Sequence, residues 1–171
     1  MTSTDLPEVW LRGPIEGYEP LLMPAVHALL QVGEDIDRLA AIIPVEHVWL
    51  RPGGAASIGF HIRHAAGALD RLFTYARGEM LSDEQKAFLR AEALPGDPPA
   101  SFAAVSMAAR STIARALEQL RQTEVGSLLQ ERRVGRAGLP SNTLGLLFHG
   151  AEHATRHLGQ AITMSRVLTA S

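Results

Sequence analysis

Residues 55–78 read Ala-Ala-Ser-Ile-Gly-Phe-His-Ile-Arg-His-Ala-Ala-Gly-Ala-Leu-Asp-Arg-Leu-Phe-Thr-Tyr-Ala-Arg-Gly. At about 100° per residue, Ile58, Ile62, Ala65, Leu69, Leu72, Phe73 and Ala76 fall on one face of a helix. Arg63, Asp70, Arg71, Thr74 and Arg77 fall on the opposite face, so the helix is amphipathic and packs on one side. Gly78 closes it, because a residue without a Cβ adopts the left-handed conformation that ends a helix.

The chain on either side repeats the pattern. Upstream, residues 20–43 carry Val26, Leu29, Leu30, Val32, Ile36, Leu39, Ala40 and Ile43 at helical spacing, with Pro20 and Pro24 tolerated near the first turn. Pro44 stops that helix, and Val45 to Arg51 reads as an extended linker ending at Pro52-Gly53-Gly54. Downstream, Ser82-Asp83-Glu84-Gln85 has the form of a capping box and opens a short helix to about Glu92. Asp97 before Pro98 reads as the start of a third long helix running to about Gln122, with Phe102, Val105, Ala109, Ile113, Leu117 and Leu120 inward. Gln130 to Arg136 has no helical stripe and reads as extended, with Val45–Leu50 as its candidate pairing partner. Pro140-Ser141-Asn142 opens a last helix that continues to about Leu168. Four long helices and one short one predict an all-α four-helix bundle, residues 1–171 forming one domain. The long connections after the first and second helices allow crossovers rather than a simple up-and-down path.

Composition narrows the chemistry. Among 171 residues there are 16 basic and 18 acidic side chains, a formal net charge of -2, which gives no field for holding nucleic acid. Arg132, Arg133 and Arg136 beside Glu131 read as a solvated surface. No cysteine is present, which removes disulfides, thiolate zinc sites, iron–sulfur clusters and a cysteine nucleophile. The opening residues, Met1 to Glu8, lack the basic start and apolar stretch of a secretory signal, and no apolar run approaches bilayer-spanning length. The expectation is a soluble cytoplasmic protein without membrane or nucleic-acid partners.

Carboxylates and seven histidines remain as metal or acid–base groups. His27 and His47 are isolated and read as ordinary surface groups. His61 and His64 sit three apart, and His149, His153 and His157 follow a spacing of four. Residues four apart stack one turn above another, so their imidazoles converge on one point, the usual helical grip on a divalent metal. On the last helix Leu146, His149, His153, His157, Gln160 and Met164 share an arc of about 80°, expected to face the bundle interior. Glu152 is rotated about 100° from that stripe and makes a poor general base. The bland alternative is a histidine ladder satisfied by carbonyls, hydroxyls or water. A facial set of three needs one more ligand from the second helix, and helical geometry alone does not choose between His61 and His64.

Ser57 to Ala65, with its HxxH pair, resembles the second-helix signature of the DinB-like metal-binding proteins, and His153-Ala154-Thr155-Arg156-His157-Leu158-Gly159-Gln160 resembles the signature of their last helix. The order of elements matches over nearly the whole chain. The resemblance implies a four-helix bundle with crossover connections that holds a divalent metal, commonly zinc or nickel. Carried onto the matching positions, the ligands are His64, His153 and His157, with His61 and His149 as supporting groups or bystanders. Gln160 matches the family's glutamine and is expected to hydrogen-bond near the site; Tyr75 is another candidate neighbour.

Three neutral imidazoles leave such a metal its full charge and an open position, where water, a substrate oxygen or a thiolate is activated. Related proteins include thiol-dependent transferases and a maleylpyruvate isomerase. The resemblance therefore implies a transferase or isomerase using a low-molecular-weight thiol with a small-molecule substrate, and a homodimer. A metal-dependent hydrolase and a non-catalytic metal-binding stress or interaction protein are the alternatives.

Overall fold

The computed structural model describes residues 6–170. The reading of residues 1–5 as lacking a signal lies outside them. Five α-helices form the framework: α1 Met23–Ala40, α2 Ile58–Ala76, α3 Asp83–Ala91, α4 Phe102–Gln122 and α5 Thr143–Thr169. The four long ones make a bundle in which α2 packs against α4 and α5, and α1 packs against the same two helices from the other side. The helices joined by the long connections 41–57 and 123–142 are thus diagonal partners, α1 with α2 and α4 with α5. The first long connection crosses the bundle as expected, but the second, from α2 to α4, joins adjacent helices, and the other crossover follows α4 instead. No helix among the described residues is long and apolar enough to cross a membrane.

Local chemistry sets the helix ends. Ser57 Oγ accepts from Phe60 N at 3.1 Å to start α2, and Asn142 Oδ1 accepts from Gly145 N at 2.7 Å to start α5. Ser82 and Gln85 form the expected capping box on α3, through Gln85 N to Ser82 Oγ at 3.2 Å and Ser82 N to Gln85 Oε1 at 3.0 Å. The start of α4 differs from the sequence reading. Ser101, not Asp97, accepts from the third amide, Ala104 N, at 3.2 Å. Residues 96–99 form a turn, so the two prolines precede the helix rather than open it.

The polar stretch also differs in its partner. Glu131–Val134 is strand β1, but it pairs antiparallel with β2, Leu139–Asn142, with Glu131 opposite Asn142 and Val134 opposite Leu139. Gly135 and Gly138, both at positive φ, are the first and last residues of the four-residue turn between the strands. Val45–Leu50 is no strand: it holds a 3-10 turn, Val45–His47, and a fully buried Val48, whose carbonyl accepts from Gly59 N at 2.8 Å. That linker spends its hydrogen bonds on the start of α2, and a neighbouring strand wins the pairing because its loop is shorter to close.

The core is built from Leu22, Val26, Leu29, Ile58, Ile62, Leu69, Leu120 and Leu147, each below 2% exposed. Where α5 meets α2, Gly150 takes the place of a side chain. A Cβ there would lie 2.9 Å from Phe73 Cε2 and 3.2 Å from Leu69 Cδ1, closer than carbon atoms pack. Replacing Gly150 by Val forces the two helices apart at this seam, and overpacking of this kind costs about 1–3 kcal/mol. Urea unfolding of Gly150→Val should show a lower midpoint with an unchanged slope.

Candidate metal centre

α2 and α5 bring His64, His153 and His157 together. One nitrogen of each lies within 4.8 Å of the others. His64 Nε2 faces His153 Nε2 at 3.1 Å, and the ring centroids of His64 and His157 stand 4.5 Å apart. Two imidazole nitrogens bound to one tetrahedral zinc sit about 3.3 Å apart, from Zn–N distances of about 2.0–2.1 Å. The nitrogen separations are already close to those a single ion requires. The set contains only imidazoles, a donor type suited to zinc, nickel, copper and iron alike.

The sequence reading missed the residue that orients this set. Glu92, immediately after α3 and 3% exposed, reaches across to accept a hydrogen bond from His64 Nδ1 at 2.7 Å. A carboxylate can only accept here, so the proton of His64 sits on Nδ1 and the Nε2 lone pair faces the cluster. The other oxygen of Glu92 accepts from Arg71 at 2.5 Å, and Arg71 is itself 8% exposed. Gly67 makes room for this approach, since a Cβ there would lie 2.3 Å from Glu92 Oε1. Arg71 and Thr74 were expected on the solvated face of α2, yet both are buried because that face is covered. Phe60 stacks on the ring of His64 at 5.2 Å and 15°, holding its plane.

On α5 the expected inward stripe is shifted. The buried residues are Leu147, Gly150, Ala151, Ala154, Leu158 and Ala161, with Leu146 at their edge. Measured from Ala154 at about 100° per residue, His157 lies about 60° off this midline, His153 about 100° and His149 about 140°. His153 and His157 are accordingly half-buried, while His149 is exposed and pairs with Glu152 at 3.2 Å. Gln160, rotated still further from the midline than His153, is exposed as well. Tyr75 is buried eleven residues beyond His64, about 16 Å along the axis of α2, and does not border the site. His61 is buried, and its Nδ1 lies 3.1 Å from His157 Nδ1, making it a direct partner of one cluster member.

The DinB superfamily profile matches residues 28–161, a span that holds all three clustered histidines and all four long helices except the first residues of α1 and the last of α5. The chain belongs to the DinB superfamily. No curated protein matches the sequence.

Burial, followed by the positive charge that His64 would carry, drives the imidazoles of His153 and His157 toward their neutral form. His157 is lowered from 6.5 to about 4, and His153 and His61 are also lowered. Neutral rings offer lone pairs, which is the state a metal needs. The same shifts set an acid liability. Because the folded-state values lie below the unfolded value, the unfolded chain binds more protons between about 4 and 6.5, so stability falls as pH drops through that window. Metal-free protein melted at a series of pH values should show a declining Tm from about pH 6.5 towards pH 4, and His157→Gln should flatten that decline.

Proposed function

We propose that this DinB-superfamily protein is a divalent-metal-dependent transferase or isomerase in which His64, His153 and His157 hold the ion and a low-molecular-weight thiol is the cosubstrate. The observation that carries the reading is the convergence of three imidazoles with the lone pair of one fixed by a buried carboxylate. Zinc or nickel suits the donor set best within the family pattern. A divalent ion in such a set supplies a Lewis-acid position for a substrate oxygen or a thiolate.

The chain's own residues prepare that position. Glu92 keeps the proton of His64 on Nδ1, and Arg71 holds the other oxygen of Glu92 and so keeps its carboxylate aimed. For His157 to offer Nε2, its Nδ1 must carry a proton and donate it to His61 Nδ1, which then accepts. His61 thus selects the tautomer of His157 as Glu92 selects that of His64. The half-buried ring of Phe60, packed on His61, His64 and His157, limits the water around the imidazoles.

Hydrolysis is less well supported, because it calls for a base beside the ion. Glu92 already accepts from two donors, and Glu152 is bound to Arg156 at 2.5 Å on the outer side of α5. A thiol that loses its proton to the solvent needs no such base. The thiol-transfer reading is completed by a homodimer, as the family resemblance implies, working in the cytoplasm.

Elemental analysis of untagged protein should find close to one zinc or nickel per chain, absent from His153→Ala. Protein that carries no such ion and takes up none when supplied would end the metalloenzyme reading. In cobalt-substituted protein, a small thiol should shift the visible absorption; an unchanged spectrum would favour the non-catalytic alternative. Glu92→Gln should lower zinc affinity about 10–100-fold in a chelator competition while helical circular dichroism stays at the wild-type level.

A further inference from the structure

On the flank of α2 away from α5 lies a cavity of about 690 Å³, bounded by α3 and α4. Its volume is in the range of small-molecule sites, roughly 300–1,000 Å³. None of the three clustered histidines lines it. It exists because the helices that border it carry small side chains: Ala66 and Gly67 on α2, Ala104 and Ala108 on α4, with Phe88 of α3 forming the opposing wall. α3 itself buries no residue and packs on α2 without closing against α4. The result is a mostly apolar trough between α2, α3 and α4.

Its charged groups are not equivalent. Arg71 is committed to Glu92, and Arg115 is shared among Asp70 at 3.8 Å, Ser111 and Thr112. Asp70 also accepts from Gln85 at 2.5 Å. Arg63 differs from all of these. Its guanidinium stacks on the ring of Trp49 at 4.6 Å and donates through Nη1 to the carbonyl of Leu94, yet among the described residues no carboxylate lies within salt-bridge distance of it. Nε and Nη2, the edge that grips a carboxylate in two-pronged fashion, carry no protein partner among the described residues.

We propose that this cavity binds an amphipathic carboxylate, its apolar body against Ala66, Ala104, Ala108 and Phe88 and its carboxylate on Arg63. The ligand class follows from complementarity: an apolar trough takes a hydrocarbon body, and a stacked, unpaired guanidinium takes a planar anion. None of the three clustered histidines belongs to the site, although Arg71, which holds Glu92, lines its wall, and the proposal does not depend on the metal reading.

Isothermal titration of the full chain with octanoate, beside octan-1-ol, tests it. Octanoate should bind at least about tenfold more tightly than the alcohol, the scale of a charged hydrogen-bonded pair. Arg63→Met should remove that preference while leaving octan-1-ol binding within about twofold. Ala108→Trp, at an exposed position that fills the trough, should abolish binding of both and retain wild-type zinc uptake in the same sample. Equal affinity for acid and alcohol, octanoate binding unaffected by Ala108→Trp, or no octanoate binding in the millimolar range would each overturn the proposal. Loss of zinc uptake with octanoate binding intact would instead count against the metal reading alone.

Discussion

The distance between α2 and α5 governs the histidine cluster. Imidazoles are short: two of them reach a common point only if the backbones that carry them lie close together, and one turn of helix in either direction breaks the register. The α5 side of the seam is therefore thin where it meets bulk on α2. Gly150 sits directly against Phe73 and Leu69, and the buried face of α5 around it includes Ala151, Ala154 and Ala161. A large side chain in place of Gly150 would push α5 off α2 and pull the cluster apart. Bulk is placed instead where α1 packs, through Val26, Leu29, Val32 and Ile36.

The second constraint is electrostatic. A buried carboxylate is costly unless its oxygens are occupied. Glu92 is occupied on both, by His64 and Arg71, and each of those groups is in turn satisfied by it. The arrangement removes the desolvation penalty of three polar side chains together and fixes the direction of one lone pair. It also explains a glycine in the middle of a helix: Gly67 costs α2 about 1 kcal/mol of propensity and clears the space through which Glu92 reaches His64.

Helix content, order and most helix ends are legible in the sequence because periodicity and capping residues are local signals. Ser82 caps the helix that its capping box announces, and Asn142, the last of the three residues read as opening the final helix, caps α5. The failures come from long-range effects. The interior face of α5 is made of glycine and alanine, which carry little hydrophobic signal, so the more conspicuous histidine stripe drew the reading toward the flank and made His149 and Gln160 look inward. Arg71 reads as solvated because nothing in α2 announces that α3 will cover it. Glu92 belongs to no spacing pattern with His64, twenty-eight residues away, and only the packing of α3 creates their contact. The triad of His64, His153 and His157 was reachable from the motifs, while the choice of His64 over His61 came from resemblance; in the structure His61 contacts His157 rather than standing apart.

α3 is an unusual support for such a contact. No residue within it is buried, and Glu92, just past its last turn, is the anchor that it lowers into the protein. Segments with so little buried surface open far more readily than the global fold unfolds. Each opening of α3 would take Glu92 with it and return His64 to free tautomer exchange. A helix that contributes almost nothing to the core thus decides how long a buried imidazole keeps one tautomer.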